Sequence, residues 1–174
     1  AQSALKAHFK CVFNGNGYSS KEQDILTKSG VWRIDSGIEA ISRLAEKKNM
    51  GLFEELKVLN RSEALAREGA MYQHYYGLVE IEALCMVDMI NQHVIPAVKN
   101  AGGENVNAMK SAVKTIKDAV AGIHAKEDDK AKAELARTLR LETMVNIRKL
   151  CDEAEAVTTA SLWTLPTYTD LLFL

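Results

Sequence analysis

The stretch NRSEALAREGAMYQHYYGLVEIEALCMVDMINQHVIP, Asn60 to Pro96, decides the fold. Asn60 and Glu63 stand at the spacing of a capping box, in which each side chain bonds the backbone N–H of the other. No proline follows until Pro96, so the pattern predicts one uninterrupted helix ending there. Along it Leu65, Tyr72, Tyr75, Tyr76, Val79, Ala83, Met86, Met89, Ile90, His93 and Val94 recur about every 3.5 residues, the period of a supercoiled seam. A helix with so long an apolar seam needs other helices to cover it.

The sequence supplies them downstream. AGGEN (101–105) reads as a reversal with two glycines. The next segment places Val106, Met109, Val113, Ile116, Val120 and Ile123 on one stripe. After the charged bend HAKEDDKAK (124–132), a further segment carries Leu135, Leu139, Met144, Ile147, Cys151 and Ala154. Three long helices joined by short polar reversals run up, down and up. The closing SLWTLPTYTDLLFL (161–174) is too apolar to extend into solvent and is expected to dock on the bundle.

Upstream, Ser19 with Glu22 is expected to box a short helix ending near Gly30. Asp35 is expected to cap a second, with Ile38, Ile41, Leu44 and Ala45 on its apolar face. MGLFEEL (50–56) reads as a short turn. FKCVF (9–13) alternates as a strand, with Phe9, Cys11 and Phe13 on one side, and runs into the glycine-rich NGNG (14–17). The expected roles there are positive φ for Gly15 and Gly17 and backbone bonding by Asn14 and Asn16. A phosphate cradle would need a further glycine, a lysine and a βαβ setting, none of which follows. A lone strand has no ladder partner, so this one is expected to seek it in another chain.

The predicted fold is therefore mainly α: a bundle of three long antiparallel helices with short helices before it, a short strand and turn at the N-terminus, and a docked C-terminal tail. Residues 1–18 form the strand and turn, and 19–174 a single helical domain.

Composition bounds the function. With 174 residues, 47% of them hydrophobic, the chain is long enough to bury a sizeable core. A formal net charge of −1, with basic residues scattered among acidic ones, offers nothing to a nucleic-acid backbone. No apolar run approaches the roughly 20 residues that cross a bilayer. Cys11, Cys85 and Cys151 lie far apart without CxxC or Cys/His spacing, so buried thiols in a reducing compartment are expected, the cytoplasm or, for a processed N-terminus, an organelle such as a plastid. The first residue is not Met, which points to processing or to a longer parent chain. His8, His74, His93 and His124 are dispersed, and no Glu-x-x-His pair builds a di-iron centre. No catalytic residue, cofactor or metal site is assigned. The filled seam argues against a small-molecule ligand between the helices.

FNGNGYS (13–19), YYGLVEIEALCMVDMINQHVIPAV (75–98) and LCDEAEAVTTASLWTLPTYTDLLF (150–173) together resemble the C-terminal region of type III glutamine synthetases. That family has there a strand into FNGNGYS, a long helix with IEA and PAV, and a tail of the kind WPLPTY. The resemblance spans nearly the whole chain. It departs at Thr164, where the family usually has Pro, and follows the second half of the long hairpin only loosely. It implies that the ATP, glutamate and metal ligands lie in preceding regions absent from this sequence. Glu68, Glu80, Glu82 and Asp88 string along one helix instead of converging, and Glu82 is expected to pair with Arg137 or Arg140.

Two roles follow: a non-catalytic structural or docking subunit of a larger assembly, or part of a full glutamine synthetase joining ammonia to glutamate with ATP. Partners are expected at residues 5–18 and 161–174 more than on the exposed faces of the long helices. The candidate interface is Phe9, Cys11, Phe13, Asn14, Gly15, Asn16, Gly17 and Tyr18, with Trp163, Leu165, Pro166, Tyr168, Leu172 and Phe173.

Overall fold

A computed structural model describes residues 2–9 and 12–173. Its short helices are α1 (Gln2–His8), α2 (Ser20–Lys28), α3 (Gly37–Leu44) and α4 (Lys47–Glu55). The bundle is built from α5 (Arg61–Met89), α6 (Ile95–Asn100), α7 (Val106–His124), α8 (Asp129–Thr138) and α9 (Met144–Val157), and α10 (Tyr168–Leu172) lies in the tail. Among the described residues there is no strand.

The capping box forms as its spacing predicts: Glu63 N donates to Asn60 Oδ1 at 3.0 Å and Asn60 N to Glu63 Oε2 at 2.8 Å. The helix does not end at Pro96. It widens into a π turn over Ile90–Val94 and continues as α6 to Asn100. A proline has no N–H and crowds the carbonyl four residues back, and the wider i→i+5 turn just before it relieves that crowding without breaking the axis. The reversal then falls on Gly102, whose φ of 73° is the left-handed value glycine tolerates. Asp128 accepts from Ala131 N at 2.8 Å and starts α8, which joins α9 through a second π turn, Leu139–Thr143.

Thus α5–α6 and α8–α9 run parallel, with α7 antiparallel to both. Val79, Val87 and Ile90 of the first segment, Met109, Ile116 and Ile123 of the second, and Leu139 and Ile147 of the third fill one core. Ala83 and Ala136 are fully buried in it. Two seam positions differ from the sequence reading, since Leu65 and Leu135 are exposed and their neighbours Ala64 and Ala136 are buried. Methyl side chains let helices approach more closely than leucines allow, so the closest contact settles on the alanines.

Upstream of the bundle several local expectations are corrected. Ser36, not Asp35, caps α3 by accepting from Glu39 N at 3.3 Å, while Asp35 pairs with Arg33. Of the turn read at 50–56, residues 50–55 belong to helix α4, which buries Met50; past its C-cap Leu56 stands Lys57, a non-glycine residue at φ 53°. Ser19 is the N-cap of α2 but makes no side-chain cap bond. The strand read over FKCVF does not form among the described residues: α1 ends at His8, and Val12 N donates to Phe9 O at 2.9 Å, a local bond in place of a ladder. Lys10 and Cys11 lie outside the described residues.

Tyr72 anchors α3 to the bundle with Ile38, Ile41 and Ala133. Burial, then the nearby Glu68 charge, push its phenol up to about 12. Because the unfolded phenol titrates near 10, its stabilising contribution is full below that pH and is lost as pH rises toward about 12. Tyr72→Phe should therefore show a shallower alkaline fall in urea-unfolding stability between about pH 10 and 12. Ile116→Ala, at a fully buried site, should cost about 2–5 kcal/mol in the same assay, against about 1 kcal/mol for the cap variant Asn60→Ala.

Candidate docking site

The sequence nominates two terminal segments, and the fold treats them differently. No residue of α1 or α2 is buried. Phe9, Phe13, Asn14, Gly15, Asn16, Gly17 and Tyr18 are all exposed, Tyr18 at 98%. Trp32, beyond α2, is 77% exposed. This N-terminal arm is locally ordered all the same. Tyr18 N donates to Asn16 Oδ1 at 2.9 Å, and Gln23 Nε2 donates to Gly17 O at 2.6 Å. Positive φ among the described glycines falls at Gly30 and Gly102, so Gly15 and Gly17 serve otherwise than expected. A methyl group on Gly15 would lie 2.0 Å from Glu22 Oε2 and 2.9 Å from the Phe13 ring. Gly15 is thus the gap through which Glu22 folds against the loop.

The C-terminal tail does reach the bundle. Trp163 and Leu165 pack half-buried against the main core. His93 Nδ1 and Thr164 Oγ1 lie 2.7 Å apart and pin the tail to the π turn of the long helix. A proline at that position could not make this bond, so the departure at Thr164 supplies a contact of its own. Beyond it Pro166 is exposed, Leu172 is 76% and Phe173 83% exposed, and Tyr168 opens α10. Thr167 caps α10 in a second capping box with Asp170, whose carboxyl is held below its ordinary value by the Thr167 hydroxyl and backbone N–H.

Between tail and bundle lies an apolar groove of about 530 Å³ that sequence reasoning had taken as filled. Met86, Met89, Met144, Cys151, Trp163 and Leu165 line it. The methionines on facing segments were its signal, since flexible thioethers accompany adaptable apolar surfaces. Its charged margin is internally paired. Arg148 lies 3.6 Å from Asp152, and Arg140 reaches Glu82 at 3.1 Å, as expected from the sequence. Burial pushes the Cys151 thiol up, with Asp152 adding to the effect, which keeps it protonated and a weak nucleophile. Cys85 is exposed, against the expectation of buried thiols.

Two buried polar atoms find no partner among the described residues, Glu22 Oε2 and Trp163 Nε1. Trp163 lies in the nominated C-terminal segment, and Glu22 in α2, just beyond the nominated N-terminal one. Among those residues no group of three His, Cys, Asp or Glu could hold a metal, and no helix is long and apolar enough to cross a membrane.

A family model described as the glutamine synthetase C-terminal domain matches residues 1–122. The chain is also 25% identical, over 207 aligned residues, to a type-3 glutamine synthetase of Dictyostelium discoideum, covering 99% of this chain and 28% of that protein. It is 24% identical over 202 residues to a glutamine synthetase of Butyrivibrio fibrisolvens, covering 99% and 29%. The chain thus spans less than a third of the length of these curated relatives.

Thr164→Val should loosen the tail, since a neutral hydrogen bond contributes about 1 kcal/mol. In a Trp32→Phe background Trp163 is the one remaining tryptophan, and its acrylamide quenching should rise in the Thr164→Val variant. Unchanged quenching would show that the pin contributes nothing to docking.

Proposed function

The chain belongs to the glutamine synthetase C-terminal domain family, and we propose that it acts as a non-catalytic helical module, docked into a larger assembly through its N-terminal arm and its C-terminal tail. The observation that carries this reading is the exposure of the arm. Leu5, Phe9, Phe13, Tyr18 and Trp32 are large apolar side chains within the first 32 residues, and none of them is covered by the bundle. Apolar surface of that extent on one segment marks a contact with another surface. The match to the family model takes in this arm, running over residues 1–122. The unpartnered Trp163 Nε1 in the tail and Glu22 Oε2 beside the N-terminal loop support the same reading, because a buried polar group without a bond costs about 1–3 kcal/mol.

The share of the relatives covered favours a second reading with the same surfaces. In it the chain is the C-terminal portion of a full glutamine synthetase, which joins ammonia to glutamate at the expense of ATP, and the module serves folding and subunit contacts. The coding sequence upstream of Ala1 separates the two, since a catalytic region there supports the ligase and a short targeting peptide supports the subunit.

In either case the purified 174-residue chain should neither hydrolyse ATP nor form glutamine, and measurable glutamine would overturn the assignment of a non-catalytic module. Deleting residues 1–18 or 161–174 should reduce recovery of the chain in its native assembly. Two truncated forms that fold and co-purify like the intact chain would place the docking surface elsewhere.

A further inference from the structure

The long helix α5 is apolar on two sides, and the bundle covers one of them. Val79, Ala83 and Val87 face the core. On the opposite side Met71, Leu78, Ile81 and Cys85 form a second stripe at i, i+7, i+10 and i+14, the spacing of one helix face. All four are exposed, and Ile81, which points away from the bundle, is 66% exposed. A helix that is hydrophobic all round is normally buried all round. This stripe escapes a search for a single seam, because a repeat of about 3.5 residues absorbs its members one by one into the core pattern.

The charges at the two ends of the stripe identify what covers it. Arg67 lies one turn before Met71 and Asp88 one turn beyond Cys85, on the same face. Neither forms an ion pair or side-chain hydrogen bond among the described residues, whereas Glu80, Glu82, Asp129 and Arg140 around the bundle side all do. Leu78 sits near the midpoint. Arg67 precedes it by eleven residues and Asp88 follows it by ten, or about 16 Å in either direction along the axis. When two such helices pack antiparallel across a twofold axis at Leu78, Arg67 of each copy comes level with Asp88 of the other. Met71 likewise comes level with Cys85. The stripe is self-complementary in shape and in charge, as an isologous contact requires.

We propose that the outward face of α5 is a homodimer interface, formed by antiparallel packing of α5 from two copies about Leu78. The interface is separate from the N-terminal arm and the tail, so it stands or falls apart from the docking reading above. A partner of unrelated sequence would have no reason to match Arg67 and Asp88 at nearly equal distances, eleven and ten residues, from Leu78. The twofold pairing produces that match without further assumptions.

The test is sedimentation velocity of the intact 174-residue chain over a range of concentrations, with circular dichroism as the check on folding. The wild-type chain should show a reversible monomer–dimer equilibrium. Ile81→Glu removes no core contact and should keep the helical spectrum while raising the dimer dissociation constant more than about tenfold, because each copy would bury a carboxylate in the seam. Arg67→Glu alone should weaken the dimer through like charges, and Arg67→Glu combined with Asp88→Arg should restore it. In a Cys85→Ser background, Leu78→Cys should oxidise to a covalent dimer of unchanged helicity. A strictly monomeric wild-type chain, or a dimer that Ile81→Glu leaves intact, overturns the proposal. Failure of the double charge reversal to restore a dimer weakened by Arg67→Glu overturns the antiparallel register.

Discussion

The close approach of α5 to α8 is the contact on which the rest of the structure depends. Ala83 and Ala136 are wholly buried in the main core, and Ala133 plays the same part where α3 joins the bundle. Each replaces a larger side chain that would hold the axes apart, so the two parallel segments can share α7 as a common antiparallel neighbour. Once that spacing is fixed, the cross-links between segments fall into place. Tyr76 and Gln73 meet Asp129, Glu80 meets His124, and Glu82 meets Arg140. These exposed pairs contribute little individually. They follow from the register and do not create it.

The two π turns have a related role. One lies before Pro96 in the first long segment and the other interrupts the third between Thr138 and Met144. Each inserts extra backbone into a helix that continues in nearly the same direction, which rotates the residues beyond it relative to those before. The first segment keeps Ile90, Val94, Ala97 and Val98 buried on one face across its π turn. It also places His93 where the tail can bond to it.

What was legible in the sequence was mainly what is local or periodic. The Asn60–Glu63 box, the three long segments, the glycine reversal, the Glu82–Arg140 pair and the apolar docking of Trp163 and Leu165 each follow from spacing within one element or from strong amphipathicity. What was not legible depends on competition between neighbours. Ser36 outcompetes Asp35 for a cap because Arg33 holds the aspartate. Lys57 takes the left-handed position that sequence logic reserves for glycine, because the end of α4 imposes it. FKCVF alternates over too few residues to separate strand from helix, and among the described residues no second strand exists to pair with it. The second stripe on α5 was hidden because helical periodicity shows where apolar residues stand, and tertiary packing alone shows which of them are covered.

The bundle and the arm are held by different means. The segments from α7 to α9 supply Met109, Ile116, Ala136, Leu139 and Ile147 to the core, whereas the arm, α1 and α2, buries nothing. Core positions tolerate exchange among apolar side chains of similar volume. A glycine against which a glutamate folds, and an asparagine that closes its own turn, have no such equivalents. Gly15 and Asn16 are held by close local geometry at a place where the bundle asks nothing of them. Gly15→Ala would press a methyl group on Glu22 and the Phe13 ring and so rearrange the loop, and on the docking proposed for the arm it should alter that docking while leaving the stability of the bundle unchanged.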